Sequence, residues 1–509
     1  MDESAGGEVR SSNRYPGIDL TGVMRLPGDL SFDPAVTSQN HQQAFALAVE
    51  VSKATAAAGG RALIVGGGAR DEALRRLGTT HEPKDVDLEV YGLSLDELWT
   101  LLQRFGTVNV VGKSFGVMKL GGLDVSIPRR ETKHGPGHRG FAIETDPWLP
   151  FREAARRRDF TVNALAFDPL TGELLDPWGG LDDLHSGILR ACDPSTFADD
   201  PLRVLRAAQL AARLGFAVEA ETAALCRMLD LRDLSPERVG EEWVKLLTKS
   251  PGPSVGLAAM RELGVTAQLH PQLHALSDTP QDPVHHPEGN VWMHTCLVVD
   301  AAAEDLRDAP RDTQMVVVLA ALCHDLGKPA TTVVQDGRIQ SPGHAAVGAG
   351  MARDLLSDLR IPQDTVDRVV PLVREHMYPG LSREVGDASV RRLSLRLQPA
   401  TIQELVMLGR ADRQGRGTVK ISSSFGEDLL RQAQRLDIIS TTPAPLVRGR
   451  DLLDVGWAPG PRLGKMLRLL YEAQLVGTFA TTDEGLEFMR RLPISIPEDD
   501  RRPSKPSLA

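Results

Sequence analysis

Between residues 42 and 185, short strand-like runs ("RALIV", "DVDLEVYG", "FGVMKL", "LDVSIP", "FTVNALAFDP"), some alternating and some continuously apolar, are interleaved with helically spaced ones ("QQAFALAVEVSKATAAAG", "LDELWTLLQRFG"). Period 2 predicts strands and period 3.6 predicts helices, so this part reads as an α/β head. Beyond residue 185 the strand signal nearly vanishes, and "PLRVLRAAQLAARLGF", "ERVGEEWVKLLTKS", "VVVLAALCHDLG" and "LGKMLRLLYEAQLVG" predict helices. The Pro- and His-rich stretch 271–290, "PQLHALSDTPQDPVHHPEGN", reads as a linker between helical domains. Residues 1–40 and 495–509 are polar and aperiodic and are expected to be disordered tails.

At 509 residues the chain exceeds what one core supports, and its 41% hydrophobic content is ordinary for a soluble protein. No run approaches the roughly 18 apolar residues of a membrane span, and the start "MDESAGGEVR" is acidic, so a cytoplasmic protein without a membrane partner is expected. Cys192, Cys226, Cys296 and Cys323 are far apart, which argues against a disulfide framework or zinc knuckle. The net charge of −10 excludes a uniform positive field for coating nucleic acid. Two local basic excesses, 129–158 and 368–420, suit either a phosphate backbone or a solvated charged face.

"LIVGGGARDEAL", 63–74, has the form strand, glycine turn, helix. It is not a P-loop, since Ala69, Arg70 and Asp71 stand where Gly-Lys-Ser/Thr is required, and Asp71 breaks the dinucleotide pattern. The turn offers backbone N–H groups and Arg70 to an anion. Further on, Asp85, Asp87 and Glu89 share one strand face. Such crowding suits Mg²⁺, although an acidic edge strand facing water has the same pattern. Gly121-Gly122 predicts a two-residue hairpin that puts Asp124 on the polar face as a third ligand candidate. Lys119 lies opposite it in that register, so a cross-strand ion pair is the rival reading. Anion turn and paired carboxylates together are the equipment of phosphoryl or nucleotidyl transfer.

Gly-Gly-x-x-Arg-Asp at 66–71, Asp-x-Asp at 85–87, "RRRDFTVNALAFDP" at 156–169, "DDPLRVLRAAQLAARLGF" at 199–216 and "ERVGEEW" at 237–243 follow in order. This series resembles the motifs of the bacterial (class II) tRNA nucleotidyltransferase and poly(A) polymerase family, over roughly residues 50–480. The resemblance implies that Gly66, Gly67, Arg70 and Asp71 hold the incoming triphosphate, and that Asp85 and Asp87 bind the catalytic Mg²⁺; the hairpin register, not the resemblance, makes Asp124 a further catalytic candidate. It assigns Arg158, Asp159 and Asn163 to ribose and phosphate contacts and Asp200 and Arg203 to reading the base of CTP or ATP, and Arg206 is a further nucleotide-binding candidate. Taken without it, Asp200 and Arg203 are a helix-start acid and an i,i+3 salt pair. Two departures are Ala69, where the family usually has valine, and Asp199, where it has glutamate. The loop "RRETKHGPGHRGFAIETDPWLPF" corresponds to a mobile element that in the family helps switch from C to A addition.

Among the histidines, His294 lies on an apolar helix and His324-Asp325 ends another, with Asp412 further on. A lone histidine on an apolar face is commonly a core residue, but a buried His-Asp pair is costly unless a metal or strong hydrogen bonds compensate. The set resembles the H…HD…D ligands of HD phosphohydrolase domains, with His344 and His376 as further ligand or substrate-contact candidates. A divalent transition metal or Mg²⁺ suits these N/O donors. A degenerate HD domain kept as scaffold remains the alternative.

The expected fold class is therefore α+β: a polymerase-β-like nucleotidyltransferase α/β head, followed by all-helical neck, HD and C-terminal domains. The head spans 41–185, the neck 186–270, the linker 271–290, the HD domain 291–420 and the C-terminal tRNA-binding region 421–494. The implied activity is addition of C and A to tRNA 3′ ends, with tRNA, ATP and CTP as partners. A poly(A) polymerase or a CC-only or A-only enzyme shares the same motifs. A reading of another class is an HD phosphodiesterase or phosphatase with an RNA-binding head. Monomer and homodimer are equally compatible with the sequence.

Overall fold

A computed structural model describes residues 18–26, 39–79, 86–111, 117–133, 141–381, 383–417 and 426–492. The head strands are β1 (Met24–Leu26), β2 (Arg61–Val65), β3 (Val86–Tyr91), β4 (Asn109–Val111), β5 (Val117–Leu120), β6 (Leu123–Ser126), β7 (Arg129–Lys133), β8 (Phe141–Thr145), β9 (Ala166–Phe167) and β10 (Leu174–Asp176). Eight of them form one sheet in the order β1-β10-β9-β2-β3-β6-β5-β4, and β7 and β8 pair separately. Only β3 and β6 run parallel in the large sheet. β5 and β6 pair Lys119 with Asp124 across Gly121 (φ 53°) and Gly122 (φ 90°). Two successive positive φ angles are what a type I′ hairpin turn requires and what glycine supplies.

β3 lies between β2 and β6, which rules out the edge-strand reading of "DVDLEV". Its apolar residues Val86, Leu88 and Val90 are all buried, as alternation requires. The helix Leu95–Leu102 starts at a Ser94/Glu97 capping box, and Arg203–Leu214 ends at Gly215 with φ 71°, so local signals set both boundaries.

Three expectations fail here. Residues 18–26 belong to the fold rather than to a tail: Ile18 is buried in the head core and β1 pairs with β10. "FTVNALAFDP" is not one strand but a 3₁₀ turn, Thr161–Asn163, followed by the two-residue β9. Polar side chains divert this backbone, since Asp159 accepts from the Phe160 N–H and Asn163, while Thr161 donates to Asp183. Stretch 271–290 is folded rather than a free linker. It contains the helix Pro271–His274 and a 3₁₀ turn, Ala275–Asp278, which bury Leu273 and Leu276.

The chain divides into two compact units, 1–238 with 255–269 and 239–254 with 270–509, so the expected neck is shared between them. In the second unit, the helices Val291–Asp305, Arg311–Cys323, His344–Asp358, Gln363–Glu375 and Ile402–Gln414 form a bundle. The run Val316 to Cys323 is buried all round, as expected of a central helix. Val447, Leu452, Trp457, Met466, Leu470, Phe479 and Met489 make a separate small core toward the C-terminus. All four cysteines are buried free thiols. Among the described residues no helix is long and apolar enough to cross a membrane.

Candidate functional site

The head gathers residues from distant motifs around the glycine turn. Gly66 has φ 66°, and the helix Gly67–Arg76 begins directly after it. A Cβ on Gly66 would lie 3.0 Å from Arg158 Nη1 and 3.8 Å from Asp87 Oδ2, so the missing side chain keeps open a gap between a guanidinium and a carboxylate. The first N–H groups of the helix add positive partial charge beside it.

Arg70 is only 2% exposed, with its guanidinium engaged by neighbouring side chains. It donates through Nε and Nη2 to Asp71 Oδ1 at 2.9 and 2.6 Å, and through Nη1 to Asn163 Oδ1 at 2.7 Å. Asn163 donates in turn to Asp159 Oδ1 at 2.9 Å, and Arg206 Nε to Asp159 Oδ2 at 2.7 Å. Arg213 stands 3.5 Å from Asp71 and extends the chain. Burial alone would raise the Asp159 pKa, but Arg206 and the hydrogen bond from Asn163 outweigh it and hold the pKa at about 2.

Asp87 on β3 and Asp124 on β6 are register partners on neighbouring strands, which brings both carboxylates to one face. Asp124 is also ion-paired with Lys119 at 2.9 Å, the contact expected of its rival role. Asp85 lies outside the described residues. Glu89 shares this strand face but is buried and engaged by other side chains. It is 1% exposed, accepts from Tyr91 Oη at 2.7 Å and from Arg157 Nη2 at 3.3 Å, and lies 3.9 Å from Arg158. Burial opposes its charge, yet the two arginines prevail and its pKa is lowered.

Asp200 and Arg203 do not form the i,i+3 pair. Asp200 is bound by Arg238 at 2.7 Å, while Arg203 donates to the carbonyls of Thr196 and Arg157. Much of the basic excess is likewise paired internally: Arg130 with Asp146, Arg156 with Asp193, Arg368 with Glu404, Arg396 with Glu375 and Arg410 with Glu427.

In the second unit, His324, Asp325, His344, His376 and Asp412 line a cavity of about 320 Å³, and His294 is buried beside it, 3.0 Å from Asp412. His294 comes from the first turn of its helix, and His324-Asp325 directly follows Arg311–Cys323. Gly327 permits close approach to the next helix, because a Cβ there would sit 2.1 Å from the His344 carbonyl oxygen. Three donor sets lie among the described residues: His286, Glu288 and His294; His294, His324 and Asp412; and Asp325, His344 and His376.

The donor chemistry fits divalent cations. His324, His344 and His376 each direct Nδ1 to a carbonyl three residues back, Ala321, Ser341 and Val373, at 2.7 to 2.8 Å. That bond fixes the proton on Nδ1 and leaves Nε2 as a lone pair. The Nε2 atoms of His344 and His376 then face each other at 3.2 Å, which is repulsive without a cation between them. His324 Nε2 is buried 3.2 Å from Asp325 Oδ2 without a well-directed hydrogen bond. Burial pushes the His376 pKa down to about 4 and also lowers that of His344, so both are neutral and able to coordinate near pH 7. His294 differs: burial disfavours its charge, but Asp412 and Glu288 raise its pKa to about 9.

Sequence reasoning missed His286, Glu288, Gln281, Lys328 and Arg416. Glu288 Oε1 lies 2.7 Å from His294 Nδ1 and 2.8 Å from His286 Nδ1. Lys328 bridges Asp325 (2.7 Å) and Gln281 (2.6 Å), and Arg416 approaches Asp412 at 3.1 Å. The available signals were Lys328 one helical turn past Asp325, and the "HHPE" acids and imidazoles just ahead of the Asn290 helix cap.

Comparison with known proteins places this geometry in context. Residues 62–190 match the poly A polymerase head domain, 215–276 the probable RNA and SrmB-binding site of polymerase A, and 291–413 the HD domain. The Multifunctional CCA protein of Xanthomonas campestris pv. campestris is 35% identical over 418 residues, covering 79% of this chain and 95% of the relative. Its Xylella fastidiosa counterpart is 34% identical over 369 residues, covering 70% and 84%. The Bacillus stearothermophilus CCA-adding enzyme in complex with CTP superposes with a TM-score of 0.62 at 19% identity, covering 89% of this chain and 98% of that one. The Thermotoga maritima CCA-adding enzyme complexed with tRNA gives 0.52 at 20% identity, covering 90% and 96%.

Proposed function

Because the chain belongs to the multifunctional CCA protein family, we propose that its head adds C and A residues to tRNA 3′ ends from CTP and ATP. The observation that carries this reading is the gap at Gly66, flanked by Arg158 and Asp87, above the Arg70–Asn163–Asp159–Arg206 chain. In the reaction the tRNA 3′ hydroxyl attacks the α-phosphorus of the nucleotide. A new P–O bond forms, the bond to the β-phosphate bridge breaks, and pyrophosphate leaves.

The gap and the helix N-terminus receive the triphosphate, with Arg158 as its side-chain donor. Arg70, Asp71, Asn163 and Asp159 act as the rigid base of that cradle. Asp85 and Asp87 are the residues to hold Mg²⁺, which would neutralise charge on the phosphates and favour ionisation of the attacking hydroxyl. Asp124 contributes if it leaves Lys119. Asp200 and Arg203 present an acceptor and a donor fork to the base edge of CTP or ATP, each held by its own partner rather than by the other. Arg206 joins this set through its contact with Asp159.

The second unit is read as a metal-dependent phosphohydrolase site. His294, His324, Asp325 and Asp412 would hold a divalent transition metal or Mg²⁺, with His344 and His376 completing a second position across Asp325. A bound cation there supplies a more acidic water and polarises a phosphoryl oxygen. Lys328 and Arg416 supply positive charge for a phosphate ester. A cytoplasmic location is part of the same reading, since it rests on tRNA as the substrate.

The test offers purified protein three tRNAs, ending at the discriminator base, at C and at CC, with Mg²⁺ and with CTP and ATP together or singly, and sizes the products of the complete mixture first. Addition of three, two and one nucleotides respectively is expected. Homopolymer growth on ATP alone favours the poly(A) polymerase reading, and extension that stops at CC or needs a CC end favours a partial enzyme. With no extension of any tRNA the proposal fails, and hydrolysis of a phosphodiester by the same protein would then favour the HD reading of the whole chain.

A further inference from the structure

We propose that Glu288 is a positioning residue of the HD cation site. It holds the His294 imidazole in the orientation and tautomer that turn Nε2 toward the position shared with His324 and Asp412. The inference rests on the metal-dependent reading given above.

Four imidazoles at the site orient their Nδ1 atoms in two different ways. His324, His344 and His376 use a main-chain carbonyl three residues back to fix Nδ1. The equivalent carbonyl for His294 is that of Val291, which accepts the Thr295 hydroxyl at 2.9 Å. His294 Nδ1 instead faces Glu288 Oε1 at 2.7 Å, while its Nε2 lies 3.0 Å from Asp412 Oδ1. A charged acceptor behind an imidazole makes the ring a stronger donor to a cation than a neutral carbonyl does.

Glu288 is itself held in place. Its side chain is 4% exposed, Oε1 lies 2.8 Å from His286 Nδ1, and the His286 ring stands edge-on to His294 at 4.8 Å between centroids. The 2.7 Å contact to His294 is close but not ideally aligned, since His294 Nδ1 is buried without a well-directed hydrogen bond. Glu288 thus gives stretch 281–290 a role at the site that its Pro- and His-rich composition conceals.

The test titrates Co²⁺ into the full-length metal-free protein and follows its d–d absorption. Nitrogen ligands shift these bands away from those of an oxygen-only site, so the HD position is read apart from the head. Glu288→Gln keeps the size and an acceptor but removes the charge, and Glu288→Ala removes both. Each is expected to weaken Co²⁺ binding at the nitrogen-ligated site by about 10- to 100-fold. Glu288→Asp should recover part of the affinity, and tRNA extension should be unchanged in all three variants. Wild-type affinity in both Glu288→Gln and Glu288→Ala overturns the role of Glu288 while leaving the metal reading intact. A wild-type protein that develops no nitrogen-ligated bands overturns both.

Discussion

The head site and the HD site are both polar and both deeply seated, but they satisfy their buried groups in opposite ways. In the head, Arg213, Asp71, Arg70, Asn163, Asp159 and Arg206 form one chain in which each charge meets an opposite charge or an amide. At the HD site, His324 Nε2 meets only the poorly aligned Asp325 carboxylate at 3.2 Å, and two imidazole nitrogens confront each other at 3.2 Å. A closed network is complete before its ligand arrives and supports it from beneath. A site with converging unsatisfied donors is incomplete until a cation enters. The first should fail through broken internal pairs, the second through loss of its ligand.

The largest expected effect breaks the head chain. Arg70→Ala leaves Asp71 and Asn163 buried without their main donor and should lower the unfolding free energy by about 3–5 kcal/mol, measured by urea denaturation. A loss below 1 kcal/mol would mean the chain is not a closed structural unit. Cation removal is the matching test of the other site. Returning a divalent cation to metal-free protein at about 100 times its Kd should stabilise the second unit by about 2.7 kcal/mol, and His324→Ala should abolish the gain.

Asp159 gives a pH test with a definite sign. Its folded pKa of about 2 lies below the ordinary 3.8, so its stabilisation is present above pH 4 and is lost as pH falls through about 2. The loss amounts to about 2 kcal/mol from this group, and unfolding of Asp159→Asn should lack that component. The smallest effect concerns Lys119. Its pair with Asp124 is half exposed, so Lys119→Met should change stability by less than about 1 kcal/mol. If Asp124 is a ligand, the same substitution tightens Mg²⁺ use during extension; an unchanged Mg²⁺ dependence makes the ion pair its whole role.

The sequence is most readable where local chemistry decides. Gly121-Gly122 announces its hairpin, Ser94 and Glu97 announce a helix start, and the His324-Asp325 tandem at the end of an apolar run marks a site. It is least readable where a partner lies far away in the chain. Glu89 looks like a third acid of the "DVDLEV" face, and only the fold reveals Arg157 and Arg158 beside it. Arg70 looks like an anion donor until Asn163, 93 residues on, takes its Nη1. Stretch 271–290 has a linker's composition, yet Leu273 and Leu276 are buried and Glu288 reaches His294. Burial of a few well-spaced leucines and one long-range contact outweigh average polarity there.

The central claim is that one chain carries two independent sites, a nucleotidyltransferase head and a cation-dependent HD site. The direct measurement assays tRNA extension and phosphodiester hydrolysis side by side in Asp87→Ala and His324→Ala proteins. The account predicts that Asp87→Ala loses extension by at least about 1,000-fold and keeps hydrolysis, while His324→Ala does the reverse. Loss of both activities in either variant, or extension that survives Asp87→Ala, would contradict it.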